Sequence, residues 1–249
     1  VTVVCGNDSF ATEDGTYFEK NSEGRITEVL YNLHTPRGYR GLEVYILSKQ
    51  LLGEIVDECS ARDQCSWRKE LQTRKDSLYL RSYIWSGFAA QIRSVQEYYD
   101  RSMQLLNPAI RAELFCPERP IRAKGADKAS TYVGPNGRCV NSLVAEGCRI
   151  EGTVENSVLS PNVVVGEGAR VSYSVLLPGT VVEPGAVVEY AILGEGCRIG
   201  RDCHVGGTPE STAPDPWGLT VLAPGCAVES GKRVAPGIML NRNGEEVSK

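Results

Sequence analysis

The chain has 249 residues, 41% hydrophobic and 23% charged, with a net charge of −4. That length holds one or two domains. No apolar run reaches the 18 or so residues of a membrane span, and the interspersed acidic and basic residues exclude the basic footprint of a nucleic-acid-binding protein. Nine cysteines occur without a C-x-x-C pair, which excludes a clustered-thiolate zinc site and reads as reduced, buried thiols of a cytoplasmic protein.

The chain opens at Val1 on what reads as a core strand, Val1–Cys5, with no lead-in and no basic and apolar signal segment. It is therefore expected to be the back part of a longer protein. Thr16–Glu19 and Arg25–Leu30 are the next strands, the second preceded by the turn Asn21-Ser22-Glu23-Gly24. Leu42–Leu47 reads as a buried strand. Ser48 then caps a helix to Cys59, with Leu51, Leu52, Ile55 and Val56 at helical spacing. A second helix spans Ser94–Leu106. Pro108–Leu114 is a third, short helix after Asn107, with proline at its favoured first position. Mixed strands and helices over 1–116 are followed by a linker, 117–132, and a second domain, 133–249.

That second domain is repetitive. Val165, Val182 and Ile199 stand 17 residues apart, as do Val171, Val188 and Val205; Val175 lies over Ile192 and Leu176 over Leu193. Upstream, Ile150, Val154 and Val158 continue the columns with the block shortened by two, and Leu143 extends the Val158 column. Within each block apolar residues recur at steps near six, neither the three and four of a helix nor a hairpin's alternation. A triangular coil of three short strands satisfies this spacing, with Pro161-Asn162, Pro178-Gly179 and Pro184-Gly185 at corners that need special backbone angles. One coil cannot bury its own apolar face, so several must stack into a parallel β-helix. Gly206–Gly218 interrupts the repeat as a loop; it resumes at Leu219 and ends near Ile238.

The stretch from Arg119 to Gly200, with its run NSLV…GC.I.G.V..SVL and then SVLLP, closely resembles the C-terminal part of the bacterial ADP-glucose pyrophosphorylase (glucose-1-phosphate adenylyltransferase) family. The resemblance covers essentially the whole chain. It implies a left-handed hexapeptide β-helix and, in front of it, the second half of a Rossmann-like α/β nucleotidyltransferase domain. The Gly-rich phosphate loop of the first half is absent here. Family members hold a sugar phosphate with a Glu-Lys-Pro motif; the matching stretch reads Asn32-Leu33-His34-Thr35-Pro36-Arg37-Gly38 and has no lysine. A second motif, Trp-x-Asp-Val-Gly-Thr, supplies a magnesium carboxylate. Here Gln91 takes that place in Phe88-Ala89-Ala90-Gln91-Ile92-Arg93-Ser94, a poor exchange for an anionic ligand.

Both departures imply the family's non-catalytic, D-type glycogen-biosynthesis subunit. Such a chain has no catalytic residue, metal or cofactor of its own. It joins a catalytic subunit that uses magnesium, in a hetero-oligomer expected to be a tetramer, with neither nucleic acid nor membrane as partner. His34, Arg37 and Arg40 are candidates for a phosphorylated effector or the vestigial sugar-phosphate site, and Arg93 for filling the vacated metal position. Solvated loop charge also accounts for Arg37 and Arg40, and an exposed loop histidine for His34. Two alternatives stay open: an active sugar-1-phosphate nucleotidyltransferase using other ligands, and a hexapeptide acyltransferase with His204 as base.

Overall fold

The computed structural model describes residues 1–6, 15–31, 37–62, 66–122, 128–207 and 218–247. They divide into two units, Val1–Gln91 and Ile92–Lys249. The helices anticipated in the front domain after residue 92 therefore group with the β-helix. The front domain expected from the sequence ends near residue 116 instead.

The first unit is a mixed five-stranded sheet of β1 (Thr2–Gly6), β2 (Thr16–Lys20), β3 (Ile26–Tyr31), β4 (Tyr39–Ile46) and β5 (Arg81–Trp85), in the order β3-β2-β4-β1-β5. Only β1 and β5 run parallel. Alternation sends Val3, Cys5, Phe18 and Val29 to one face, where they are sealed by Leu71 and Leu80. Helix α1 (Lys49–Ala61) starts where expected, with the Ser48 hydroxyl accepting from the Leu51 N–H. Helix α2 (Trp67–Thr73) and β5 were not legible in the sequence. In α2, Glu70 is buried between Arg62 and Arg74 at 2.9 and 3.2 Å.

Strand β4 departs from the buried strand expected at Leu42–Leu47. It begins at Tyr39, and its second half presents Val44 and Ile46 at 51% and 64% exposure. These stand beside Val4, Thr2 and the exposed Tyr83 on the sheet's other face.

The second unit opens with α3 (Val95–Gln104) and α4 (Pro108–Leu114), at the two helices expected there; Ser94 and Asn107 cap them. Short strands β6–β23, between Tyr132 and Leu240, then form three six-stranded parallel sheets that wind as a left-handed hexapeptide β-helix. The register reproduces the sequence columns: Ile150 pairs with Val165, Val165 with Val182, and Val182 with Ile199. Val154, Val171, Val188 and Val205 make the second inward column, and Leu159, Leu176, Leu193 and Leu222 the third. These side chains are almost all fully buried and form one continuous core.

The third sheet is apolar on both faces, because α3 covers its outside. Tyr99, 4% exposed, packs there with Val175, Ile192 and Leu219. Its hydroxyl donates to the Tyr173 carbonyl at 2.7 Å, and its ring meets that of Tyr190 edge-on at 4.9 Å.

The corners are built from polar side chains as well as from glycine. Asn162 takes positive φ, as its corner position requires; so do Asn141, Asn156 and, unexpectedly, Tyr173 and Tyr190. Each of these last four is followed by a small residue: Ser142, Ser157, Ser174 and Ala191. The Ser157 hydroxyl accepts from the Ser174 N–H and the Ser174 hydroxyl from the Ala191 N–H, both at 3.1 Å. Each donates in turn to a carbonyl two residues back. The ladder satisfies backbone groups that the turn would otherwise bury unpaired. At another corner the thiols of Cys148 and Cys197 donate to carbonyls of the next coil at 3.2 Å. The expectation of buried thiols fails at Cys139, which faces inward on the first coil but is exposed because no described coil lies beyond it.

Candidate functional site

A cavity of about 300 Å3 opens on the exposed face of the first unit's sheet, lined by Val4, Arg40, Leu42, Val44, Trp85, Ala89, Ala90 and Gln91. Local irregularities of the sheet create it. Along β1, Val4 pairs with Val44 but Cys5 with Gly41, so Leu42 and Glu43 bulge from β4. A bulge re-aims side chains, and this one turns both Leu42 and Val44 toward the cavity. Glu43 has φ 58°, a conformation L-residues enter at a cost of about 1–2 kcal/mol. Its carboxylate is tied to Thr16 Oγ1 at 3.1 Å and to the Tyr45 hydroxyl at 3.0 Å. Gly41 lets Phe18 lie flush on β4, since a Cβ there would stand 2.6 Å from the ring.

The polar end of the cavity holds one of the candidates, Arg40, together with Gln91. Arg40 is not loop charge: it lies in β4, paired with Tyr17 and Gly6, and is 6% exposed. Its guanidinium donates to Gln91 Oε1. Gln91 is carried on the segment after β5, which Trp85 fastens by donating its indole N–H to the Phe88 carbonyl at 3.1 Å.

The other candidates are elsewhere. Arg37 is exposed and pairs with Glu19 at 3.1 Å. Arg93 is exposed and does not line the cavity; its backbone N–H donates to Glu97 Oε2 at 2.7 Å in the capping turn of α3. The guanidinium that donates to Gln91 is that of Arg40. His34 lies outside the described residues. Arg40 was named in the sequence, but its pairing with Gln91, 51 residues on, had no local signal.

The resemblance implies a magnesium ligand at position 91, and the residues present do not fit one. The amide oxygen accepts from a guanidinium, and none of the described residues lining the cavity is acidic. A hard divalent ion needs anionic oxygens and is repelled by a fixed cation. Among the described residues, no group of three or more His, Cys, Asp or Glu is placed to hold a metal.

His204 on the β-helix is engaged at both ring nitrogens. Nε2 lies 3.2 Å from Glu189 Oε2, and Arg233 Nη2 lies 3.2 Å from Nδ1. A general base must present a nitrogen to its substrate, and this arrangement presents none. No described helix is long and apolar enough to cross a membrane.

Residues 125–215 match the family model described as GlmU-like, C-terminal hexapeptide. The glycogen biosynthesis protein GlgD of Bacillus subtilis (strain 168) is 36% identical over 132 residues, 53% of this chain and 38% of that protein. GlgD of Geobacillus stearothermophilus is 34% identical over the same shares of each chain. A glucose-1-phosphate adenylyltransferase of Acetivibrio thermocellus is 27% identical over 228 residues, 88% of this chain and 54% of the enzyme. The chain thus spans between 38% and 54% of the length of these relatives. In sequence the chain is similar to the C-terminal part of glucose-1-phosphate adenylyltransferase and GlgD proteins.

Proposed function

We propose that the chain is the C-terminal part of a regulatory, non-catalytic subunit of a glucose-1-phosphate adenylyltransferase assembly in glycogen biosynthesis. The catalytic partner subunit makes ADP-glucose and pyrophosphate from ATP and glucose 1-phosphate, with magnesium held in that partner. This subunit supplies contacts and a rigid β-helix platform against which effectors act, in a hetero-oligomer taken to be a tetramer.

The observation that carries the reading is the Arg40–Gln91 hydrogen bond, in a cavity with no carboxylate among its described lining residues. Phosphoryl and nucleotidyl transfer rely on a divalent ion to offset charge on the polyphosphate. A neutral amide engaged by a fixed guanidinium offers no seat for that ion. Similarity to two GlgD proteins as well as to adenylyltransferases agrees with this assignment.

The test is to purify the full-length protein and assay ADP-glucose synthesis with magnesium, alone and with the catalytic subunit. Negligible turnover alone, with a changed rate or effector response of the partner, is the expected result. Robust turnover by the isolated subunit overturns the reading.

A further inference from the structure

We infer that His204 is a proton-sensitive latch that ties the last coil of the β-helix to the coil before it. The latch sits where the repeat is least redundant. Strand β19 (His204–Gly206) pairs with β22 (Arg233–Val234), and β22 is the outermost strand of its sheet, so among the described strands it is held from one side only. The coil that carries β19 is also the interrupted one. Its connection to β20 (Thr220–Leu222) is far longer than the single residue, Tyr190, that joins the equivalent strands one coil back.

The side chains across this junction permit one arrangement of protons. Arg233 Nη2 lies 3.2 Å from His204 Nδ1, and a guanidinium can only donate, so Nδ1 carries a lone pair. Glu189 Oε2 lies 3.2 Å from Nε2, and an ionised carboxylate can only accept, so Nε2 carries the hydrogen. The ring is therefore neutral and bridges two coils, from Glu189 on β16 (Val187–Glu189) to Arg233 on β22.

A proton added at Nδ1 removes one half of this bridge. The new N–H meets a guanidinium N–H, donor against donor and cation against cation, while the bond to Glu189 becomes charge-assisted. The ring stays with Glu189 and Arg233 is released. The other groups around the ring do not reverse this. Val187, beside it on β16, is apolar. Arg170, two coils back in the same outward column, and Lys232, whose carbonyl takes the His204 N–H at 3.0 Å, are both cations. Asp202, on the corner before β19, lies instead against Gly185. Helix α3 covers the third sheet and not this one. The Arg233 contact is thus present while His204 is neutral and is lost as pH falls through its protonation. Arg233 and Lys232 also border a groove of about 600 Å3 on the last coil, with Glu229 and Glu246, so the same proton changes the charge at that groove.

Hydrogen exchange read by mass spectrometry on the full-length protein tests the latch, with the Arg170–Ser172 segment as internal reference for the intrinsic pH dependence of exchange. Between about pH 8 and about pH 5, the range in which histidines change charge, the segment around Arg233–Val234 is expected to lose protection. The loss relative to the reference should be roughly threefold to tenfold, the scale of one hydrogen bond. His204→Gln supplies an oxygen for Arg233 and an amide donor for Glu189 without titrating, and should keep its protection at both pH values. Arg233→Met keeps the stem without the donor; it should begin less protected and lose nothing further on acidification. Both side chains lie on the outer face of the sheet, so neither substitution opens the core. Equal protection of the unaltered protein at both pH values, or a gain at the lower one, overturns the proposal. So does an acid-induced loss that survives in His204→Gln or in Arg233→Met.

Discussion

The two units solve the same problem, burying short strands, in opposite ways. In the β-helix each strand pairs with the equivalent strand of the next coil, for example Val171 with Val188 and Val188 with Val205. Every coil repeats the same inward triad, and the core is a stack of near-identical layers. In the front sheet the decisive pairing joins opposite ends of the unit, with Thr2 beside Arg81 and Gly6 beside Trp85. Stacked coils spread stability over nearest-neighbour interfaces. A sheet closed by distant strands pays a larger loop-closure entropy and depends on a few central side chains. The candidate site lies on the less redundant scaffold, where a bulge, a buried arginine and a loop amide can be brought together without a repeat to preserve.

Truncating one core residue in each unit would break this comparison most sharply. Phe18→Ala in the sheet is expected to cost about 3–5 kcal/mol, and Leu176→Ala in the β-helix about 2–5 kcal/mol. Hydrogen exchange should then show the sheet losing protection throughout in the first variant. In the second, the coils far from Leu176 should keep theirs. Uniform loss of protection across every coil in Leu176→Ala would contradict the picture of a layered core.

A smaller effect tests what holds the corners. Ser174→Ala deletes the acceptor of the Ala191 N–H in a fully buried position, and should destabilise by about 1–3 kcal/mol in urea denaturation. Ser142 sits in the same ladder at the exposed end, where water replaces the lost bond, so Ser142→Ala should cost clearly less. Equal costs for the two serines would mean that burial does not set the value of the ladder.

The smallest effect concerns alkaline pH. Burial pushes the Cys5 thiol up to about 12 and the Cys197 thiol up to about 11. The unfolded chain therefore ionises these thiols first, near the ordinary cysteine value of about 8.5. Stability is unaffected by them below that value and falls as pH rises toward 11 to 12. Cys5→Val should flatten that part of the stability–pH curve for the sheet, and Cys197→Val should do so for the β-helix. Unchanged alkaline slopes would show that other groups, such as the buried Tyr99, dominate.

Much of the β-helix was written in the chain, because its register is set by residues that recur at a fixed spacing. The columns through Val165, Val171 and Val175 reappear as strand pairs, and the resemblance supplied the left-handed winding. The cap Ser48 was legible for a related reason: a side chain bonding three residues away or fewer is a local event. The substitution at Gln91 was also visible, as an uncharged residue where the resemblance implied a carboxylate.

Tertiary structure alone decided the rest. Strand β5 pairs with the first strand across almost the whole unit, and its five residues carry no repeat to announce it. Tyr173 and Tyr190 take a backbone conformation that aromatic residues avoid, and they do so where Tyr99 of α3 packs on the corner they form. Arg40 was expected among loop charges and is instead buried in a strand, because the approach of Tyr17, Gly6 and the loop after Trp85 encloses it. Its contact with Gln91 follows from that enclosure. Residues 51 positions apart meet only when the chain between them has folded, so no window of sequence contains the event.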